Sequence, residues 1–433
     1  MTDQRRALVV GLGFAGLSAA IGLEKAGWTP VIVERAPARR TGGYVIGMFR
    51  EGIAAAERLG VNDDIVKRTQ EDLVALHIDR EGGREPGMGF GDQPGGPETV
   101  LRGDIEAGLW EHVEGRVQVR FDTVPVAIRR SAEAAMVTLR TGATGETYEE
   151  SFDLVVGADG LRSTVRRLAF GPHEQYLRSM DAIICAFQLR QQLPGLGQSE
   201  SAILAEAQAR NVGVHDGGRR PDRAVHLSHQ GRRCAVHPPA GGGPARGLHR
   251  HLRRRPGHAA LEGLEQAAQK LFDSVHQVRM PTWHCGRVVL VGDAAWCLTL
   301  YSGMGATAGM LGGATLGDKL AEHPNDLTRA LTDYEAELRP FVTKHQRQAH
   351  LKSQLFVPSS DVAWWIRRQL LRGTARRANR RSSTAPSPVP TARRGRVAPA
   401  APRRAGRRVS DLQLVAPLHA ARPHGPRRRA RRR

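Results

Sequence analysis

Two glycine-rich segments, separated by most of the chain, have the residue types that bind phosphate groups. The first is Gly11-Leu12-Gly13-Phe14-Ala15-Gly16, which follows the apolar run 7–10. The second is Gly292-Asp293-Ala294-Ala295, which follows the apolar run 288–291. Glycine permits a tight turn and a close approach of backbone N–H groups to a phosphate, which the N-terminus of the next helix also attracts. Each segment therefore predicts a phosphate-binding turn between a strand and a helix.

The elements around the first segment complete a dinucleotide-binding unit. Residues 7–10 are typical of a strand buried on both faces, and apolar residues at spacings of three and four predict a helix over 14–26, ended by Gly27. A second strand over 30–33 ends at Glu34, about 20 positions after the glycines, where a carboxylate binds ribose hydroxyls. The nucleotide-contacting residues that we expect here are Gly11, Gly13, Ala15, Gly16, Glu34 and Arg35.

A third feature, Asp159-Gly160, follows another apolar run between the two glycine segments. Two phosphate-binding turns with an anchor between them indicate one long nucleotide held along its whole length, and FAD is the interpretation that we favour. Asp293 ends a Val-rich strand, which is where ligands collect in open α/β sheets. It is also suited to cap the following helix, a role worth about 1 kcal/mol, and the two roles are compatible.

These motifs together resemble those of the class A flavoprotein monooxygenases, a family that includes para-hydroxybenzoate hydroxylase and the tetracycline- and polyketide-modifying hydroxylases. Residues 153–163 resemble the DG motif of that family, and residues 286–295 resemble its GD motif. Arg102-Gly103-Asp104-Ile105 is similar to its Arg-x-Asp-Leu element. The similarity extends over roughly residues 5–185 and 280–370.

The resemblance implies a role for each motif residue. Glu34 would bind the adenosine ribose, and Arg102 would lie beside the ribityl chain and the pyrophosphate of FAD. Asp159 and Gly160 would line the groove shared by FAD and the nicotinamide cofactor. Asp293 would hydrogen-bond the ribityl chain. Without the resemblance, Arg102 would be assigned as a solvated surface residue.

Three further glycines would complete the cofactor site, namely Gly292, Gly303 and Gly305. The last two open a helix predicted over residues 306–320. Their backbone N–H groups would approach the pyrimidine edge of the flavin, and the N-terminus of the helix would stabilise negative charge on the reduced ring.

The resemblance also implies a reaction, the hydroxylation of an aromatic or polyketide small molecule. NAD(P)H would reduce FAD, oxygen would add at flavin C4a, and the hydroperoxide would transfer a hydroxyl group to the substrate. The sequence contains no second dinucleotide fold, so NAD(P)H would bind transiently near Asp159 and Arg162. No residue has the sequence context of a protein acid or base, and the catalytic residues stay unassigned.

Two positions depart from the family pattern. Trp296 and Leu300 stand where family members often have His and Pro. The Pro helps to shape the pocket in which oxygen reacts, so we expect FAD to bind and hydroxylation to be impaired, with both residues altering the loop beside the flavin. The alternatives are a FAD-binding protein without hydroxylase activity and a reductase of the same superfamily that acts on isoprenoid chains.

The formal net charge of +21 suggests a nucleic-acid-binding protein, but its distribution argues against that class. Residues 372–433 contain 19 Arg and one acidic residue, and residues 208–258 contain 11 Arg and two acidic residues. The rest of the chain has a net charge of −6. A mildly acidic enzyme therefore carries two Arg-rich segments of different composition.

Three explanations of these two segments stay open. They are disordered insertions, a basic arm for nucleic acid in the case of the tail, or shifted-frame translation of a GC-rich gene. We favour the last, because both segments share one bias while the flanking motifs stay intact. Residues 208–258 hold four Val and no Ile, Phe, Tyr, Trp or Thr, so we expect no substrate-covering sheet from them. The tail would bind polyanions without sequence selectivity.

We expect an α/β fold with a Rossmann-like FAD-binding domain, a smaller substrate domain with a mixed sheet, and C-terminal helices. The FAD-binding domain would comprise residues 1–70, 100–185 and 280–345, and the substrate domain residues 71–99 and 186–279, with a strand over 72–78. The C-terminal helical region would span 327–371, and a disordered tail would span 372–433.

The remaining expectations concern location and partners. The four Cys residues form no CxxC pair, which favours a reduced, cytoplasmic protein. No run of about 18 uncharged apolar residues occurs, so we expect no membrane span. The seven His residues of 208–258 lack the partners of a metal site, so we expect no metal. The expected partner is a small-molecule substrate, without specific binding of nucleic acid, and the oligomeric state is undetermined.

Overall fold

The structure is a computed structural model that describes residues 5–39, 44–69, 74–78, 83–87, 96–189, 200–206, 210–216, 223–230 and 270–356, together with single residues between 266 and 369. The chain divides into two units, Met1–Ser383 and Thr384–Arg433. The second unit, and with it the predicted disordered tail over 372–433, lies outside the described residues.

Helices and strands are interspersed along the described part of the chain. The helices are α1 (Phe14–Lys25), α2 (Arg50–Leu59), α3 (Arg102–Glu111), α4 (Thr164–Ala169), α5 (Asp293–Trp296), α6 (Gly305–Glu322) and α7 (Leu327–Phe356). The strands are β1 (Arg6–Val10), β2 (Thr29–Val33), β3 (Val45–Met48), β4 (Val74–Ile78), β5 (Arg84–Pro86), β6 (Glu98–Leu101), β7 (Gln118–Arg120), β8 (Thr123–Arg130), β9 (Ala135–Thr141), β10 (Thr147–Phe152), β11 (Leu154–Gly157), β12 (Leu177–Leu189), β13 (Glu200–Glu206), β14 (Arg210–Asp216), β15 (Arg223–Gln230), β16 (Lys270–Val278), β17 (His284–Cys285) and β18 (Val288–Leu290).

A six-stranded sheet in the order β17-β18-β11-β1-β2-β7 carries the glycine turns. Its strands run parallel except for β17, which pairs antiparallel with β18. All four residues of β11 are buried, and so are the last four of β1 and of β2. Strands covered on both faces need continuous apolar runs, which explains why Val, Ala, Leu and Ile dominate them. The expected α/β class with a Rossmann-like unit and C-terminal helices is confirmed.

The two longest glycine-containing helices, α1 and α6, pack closely because glycines face each other at their contact. A Cβ atom on Gly313 would lie 2.5 Å from the backbone N of Ala19, and one on Gly317 would lie 2.6 Å from Gly22. Near the start of α6, a Cβ atom on Gly309 would lie 3.5 Å from the backbone N of Ala15. This packing places the N-terminal turns of the two helices side by side.

Two smaller sheets flank these elements. Strands β8, β9 and β10 form an antiparallel sheet in the order β10-β9-β8, and β3 pairs antiparallel with β6. Strand β6 leads directly into α3, and its last residue, Leu101, pairs with Val45. The short β3–β6 ribbon therefore determines where Arg102, the first residue of α3, enters the structure.

A seven-stranded sheet has the order β16-β12-β15-β14-β13-β4-β5. Neighbouring strands are antiparallel except for β13 and β4, which are parallel. The expected strand over 72–78 is present as β4, with its first two residues outside the described part of the chain. The division into a FAD-binding and a substrate domain stays a prediction.

The prediction that residues 208–258 form no sheet is wrong for 210–216 and 223–230, which are β14 and β15. The few apolar residues of this segment are spaced by two, and the register pairs Val212 with Leu227 and Val214 with Val225. Strand β14 also pairs with β13, and β15 with β12, so both strands lie in the interior of the sheet and tertiary context outweighs composition. The remaining residues of 208–258 lie outside the described part.

The helix α7 follows α6 and contains Pro340 in its interior. Tyr334 on this helix is buried and donates a hydrogen bond from its hydroxyl to the carbonyl oxygen of Leu290 at 3.1 Å, which attaches α7 to the six-stranded sheet. Residues after 356 in the predicted helical region are largely outside the described part. Among the described helices, none has both the length and the apolar composition needed to cross a membrane.

Candidate cofactor site

The turn after β1 uses two of its glycines for the fold itself. Gly11 has a φ of +107°, and a Cβ atom there would lie 2.6 Å from the carbonyl oxygen of Ala158. A Cβ atom on Gly16 would lie 1.9 Å from the carbonyl oxygen of Gly11. Neither position can hold a side chain without moving backbone, so both residues are required even without a ligand.

At two other positions, Gly13 and Gly305, the packing of the protein itself does not require a glycine. Gly13 has an extended backbone, with φ −84° and ψ −174°, and a Cβ atom there would meet no heavy atom within 4 Å. Gly305, the first residue of α6, has the same open surroundings. Within the described residues, no side chain caps the N-terminus of α1 or α6. The open space at two uncapped helix N-termini fits an anionic ligand such as the phosphates of FAD.

Glu34 lies at the end of β2 beside the glycine turn. Its carboxylate accepts hydrogen bonds from the N–H groups of Leu12 and Ala36, each at 2.9 Å. Arg35 next to it is exposed. Ala15 also has a packing role, because a Cβ atom on Gly292 would lie 2.6 Å from the Cβ of Ala15, and its contact with the cofactor stays a prediction. Ala15 therefore packs the first glycine segment against the second.

Asp293 begins α5 directly after Gly292, whose φ is +65°. Its side chain is accessible to water but lies among protein atoms, and this restricted hydration raises the pKa of its carboxyl group, whereas the Cys297 thiol and the Arg102 guanidinium lower it. Burial also raises the pKa of Cys297 well above its usual value. Asp293 is thus a water-accessible acceptor at the carboxyl end of the strand segment, near Arg102.

Arg102 connects α3 to this site. Its backbone N–H donates to the carbonyl oxygen of Tyr44 at 3.0 Å, and its guanidinium carbon lies 5.1 Å from the ring centroid of Phe14, the first residue of α1. The guanidinium also donates two hydrogen bonds to Glu106. The structure therefore brings Arg102 next to both the first glycine segment and Asp293, as the motif roles require.

Asp159 has a structural function that its motif does not reveal. One carboxylate oxygen accepts from the N–H groups of Thr164 at 2.6 Å and Val165 at 3.1 Å, and this bonding caps the short helix α4. The other oxygen is buried and has no hydrogen-bond partner in the described part of the chain. Burial raises the pKa of Asp159. Gly160 next to it has a φ of +78°. Their position in a shared groove for FAD and NAD(P)H stays a prediction.

Arg162 pairs with the seven-stranded sheet. Its two terminal nitrogen atoms lie 2.8 and 2.5 Å from the carboxylate oxygens of Asp273 on β16. This ion pair raises the pKa of Arg162. Burial raises the pKa of Asp273, but the hydrogen bonds and charge of Arg162 outweigh that effect, and the pKa of Asp273 is lowered. Arg162 thus connects the segment after Asp159 to the seven-stranded sheet through an ion pair.

Arg166 is the buried residue that links the two motifs, and the sequence did not identify it. It is fully buried, and its guanidinium donates to the carbonyl oxygens of Ala294 at 2.8 Å and Leu161 at 2.6 Å. Its Nη2 atom also lies 3.1 Å from Nδ1 of His173. Burial lowers its pKa. Glu106 and Tyr44 were also missed. Arg166 stands in no local pattern because its partner Ala294 comes from a distant part of the chain, and Glu106, four residues after Arg102, lies outside the motif that identified Arg102.

Trp296 packs in the core, and the expectation that it alters the loop beside the flavin stays a prediction. It is 1% exposed, and its ring centroid lies 4.5 Å from that of Trp283. A Cβ atom on Gly312 would lie 2.9 Å from the Trp296 ring, so this glycine of α6 makes room for the large side chain. Leu300 begins a short 3-10 turn, and Thr299 before it has a φ of +72°, which is unfavourable for a β-branched residue.

Comparisons with known proteins agree with this geometry. Residues 4–349 match the FAD binding domain family. A flavin-dependent monooxygenase from Legionella longbeachae serogroup 1 (strain NSW150) is 27% identical over 377 residues, which are 84% of this chain and 92% of that protein. A flavin-dependent monooxygenase from an unknown prokaryotic organism is 26% identical over 366 residues, which are 83% of this chain and 92% of that protein.

Solved structures have the same fold. The crystal structure of tetracycline destructase Tet(51) matches with a TM-score of 0.70 and 25% identity, covering 89% of this chain and 100% of that one. Klebsiella pneumoniae HpxO complexed with FAD and uric acid matches with a TM-score of 0.69 and 20% identity, covering 89% and 97%. This chain belongs to the FAD binding domain family and is a flavin-dependent monooxygenase, an oxidoreductase that binds FAD.

Proposed function

We propose that this protein uses NAD(P)H and bound FAD to hydroxylate an aromatic or polyketide small molecule. The observation that carries the proposal is the pair of open, uncapped helix N-termini at Gly13 and Gly305, with Arg102 and Asp293 beside them. The structural relatives support the substrate class, because they include a tetracycline destructase and a protein complexed with FAD and uric acid.

The chain's own residues define how FAD would lie. The Glu34 carboxylate would bind the adenosine ribose, the N–H groups at Gly13 and the Arg102 guanidinium would bind the diphosphate, and Asp293 would accept from a ribityl hydroxyl. Gly303 and Gly305 would bring the N-terminus of α6 to the flavin ring, where its N–H groups would stabilise developing negative charge.

An open cavity, lined in part by residues that follow shortly after Glu34, has room for the adenine base. Its volume is about 510 Å³, and Pro37, Arg39, Trp110 and Phe121 are among the lining residues. The Arg39 guanidinium carbon lies 5.3 Å from the centroid of the Trp110 ring. A planar base would stack on the aromatic wall of this cavity while its ribose reaches Glu34.

FAD, when bound, supplies the activation of oxygen and the transfer of a hydroxyl group. The protein's part is to orient the substrate and to exclude water, which the seven-stranded sheet would do by covering the cleft. NAD(P)H would approach Asp159 and Arg162. Because Arg162 is paired with Asp273, an anionic group of NAD(P)H would have to compete with that carboxylate for the guanidinium.

The proposal is tested by the ratio of hydroxylated product to NAD(P)H consumed, measured with FAD-loaded protein over a panel of phenolic and polyketide compounds. We expect product with at least one compound at a ratio below one, because Leu300 replaces the loop proline. Hydrogen peroxide alone with every compound would contradict the proposal and favour a FAD-binding protein without hydroxylase activity. Saturation of an isoprenoid chain without oxygen would indicate a reductase instead.

A further inference from the structure

We propose that Glu106 is a positioning residue for FAD binding, which holds the Arg102 guanidinium in the orientation that receives the diphosphate. The inference rests on the FAD site proposed above. Glu106 lies one helical turn after Arg102 in α3, outside the Arg-x-Asp-Leu element itself. It acts through Arg102 and does not itself contact the ligand.

The pair has the geometry of a two-pronged ion pair. Arg102 Nη1 lies 3.0 Å from Glu106 Oε2, and Nη2 lies 2.5 Å from Oε1. Two parallel N–H···O bonds fix the plane of the guanidinium as well as its distance. Arginine has five N–H donors, so the pair with Glu106 leaves donors that can bind phosphate oxygens.

The relative depth of the two side chains decides which one meets a ligand. The Glu106 side chain is 8% exposed, whereas the Arg102 side chain is 28% exposed. The guanidinium therefore lies on the outer side of the pair and the carboxylate on the inner side. A carboxylate in front of the guanidinium would repel the diphosphate. A carboxylate behind it is neutralised by the guanidinium and can orient Arg102.

The other contacts of Arg102 fix its backbone but do not fix the rotation of its guanidinium group. Its backbone N–H is bonded to the Tyr44 carbonyl at 3.0 Å, and the guanidinium lies over the Phe14 ring. An aromatic face allows a cation to turn in its plane. The two directed bonds from Glu106 remove that freedom, and the rotamer entropy of Arg102 is then lost on folding rather than on FAD binding.

The test is a double-mutant cycle on the FAD dissociation constant of the apoprotein. Glu106→Gln keeps the shape but loses the charge and one acceptor, and we expect it to weaken FAD binding about tenfold. Arg102→Met should weaken binding more. In the Arg102→Met background, Glu106→Gln should have no further effect, because there is no guanidinium to orient. Glu57→Gln, at an exposed position of α2 away from the proposed site, is the matched control and should leave the dissociation constant unchanged.

Two results would overturn the inference. Equal or tighter FAD binding by Glu106→Gln would show that Glu106 competes with the diphosphate for Arg102. An equal loss with and without Arg102 would show a general structural role. If Glu106→Gln does not fold, Glu106→Asp replaces it, with a smaller loss expected and again none in the Arg102→Met background. Failure of the wild-type apoprotein to bind FAD would refute the FAD site itself, and the wild-type titration alone identifies that case.

Discussion

The six-stranded and the seven-stranded sheets are stabilised in different ways. The six-stranded sheet is mostly parallel, its central strands are buried along almost their whole length, and glycine turns follow its strands. The seven-stranded sheet is mostly antiparallel, and in β14 and β15 it includes a stretch rich in Arg, Gly and His. The first combines buried apolar strands with glycine turns, whereas the second includes two strands with few apolar residues.

This difference assigns separate functions to the two sheets. The residues of the proposed FAD site lie outside the seven-stranded sheet: Gly13 and Asp293 follow strands of the six-stranded sheet, Arg102 follows β6, and Gly305 begins α6. The seven-stranded sheet contributes Asp273, which pairs with Arg162. Changes in the first sheet should therefore affect folding and FAD binding, and changes in the second should affect mainly what happens to the substrate.

The largest effect is expected from Gly16→Val in the first region. The new Cβ atom would lie 1.9 Å from the Gly11 carbonyl oxygen, so β1 and α1 cannot keep their packing. We expect a loss of more than about 3 kcal/mol in the free energy of unfolding, or no folded protein. Circular dichroism and urea denaturation measure this directly. A Gly16→Val variant with wild-type stability would show that the turn is less constrained than its geometry indicates.

Val214→Pro separates the functions of the two sheets. Val214 pairs with Ala202 on one side and Val225 on the other, so the proline removes a backbone donor from an interior strand. We expect the FAD dissociation constant to change by less than about threefold, and product formed per NAD(P)H to fall roughly tenfold. Val214→Ile, which keeps the N–H group, is the control. Loss of FAD binding in the proline variant would contradict the separation.

Asp293→Ala tests a single side chain of the FAD site. If its carboxylate accepts a ribityl hydroxyl, the loss should weaken FAD binding by about 1–3 kcal/mol. Asp293→Asn retains one acceptor oxygen and should lose less. Fluorescence titration of the apoproteins gives the three dissociation constants. An unchanged constant for Asp293→Ala would remove the ribityl role from this residue.

The smallest expected effect is a pH dependence on α7. Burial and the cations of Lys352 and Lys344 lower the pKa of His345 to about 4, against a weaker opposite effect of Glu51. In the unfolded chain the same group titrates near its ordinary value of about 6.5. Between these pH values the unfolded state binds more protons, so the free energy of unfolding decreases as pH falls, by about 1–2 kcal/mol from this group.

His345→Gln should remove this part of the pH dependence. Urea denaturation of both proteins between pH 7 and pH 4 gives the difference in the free energy of unfolding at each pH. The same helix, α7, carries Lys352, whose ammonium group donates to the carbonyl oxygen of Ser302 at 3.3 Å, near the turn at Leu300. Parallel pH profiles for the two proteins would contradict the role of His345.

The sequence predicts the first region well because its constraints are local. The helix expected over 14–26 is observed as Phe14–Lys25, and the strand expected over 30–33 as Thr29–Val33. Only glycine tolerates the φ of Gly11 at low cost in this turn, and the acid at the end of the second strand accepts hydrogen bonds from backbone N–H groups beside it. The turn and the buried strands therefore require particular residue types, and these can be recognised in a single sequence.

The remaining features depend on partners that the fold brings together. The role of Glu106 is visible only from its ion pair with Arg102. The role of Arg166 is visible only from its hydrogen bond to the carbonyl oxygen of Ala294. The orientation of Trp296 depends on the space that Gly312 leaves in another helix. In β14 the apolar residues are too few for composition to indicate a strand, although Val212 and Val214 alternate as a strand requires.

The most direct measurement for the FAD site is the FAD affinity of folded Gly13→Val apoprotein. The backbone at Gly13 is extended and its surroundings are open, so valine should fit without loss of stability, in contrast to Gly16→Val. The same side chain would fill the space proposed for the diphosphate, and we expect FAD binding to weaken by about a hundredfold. A folded Gly13→Val variant that binds FAD with wild-type affinity and stoichiometry would contradict the account.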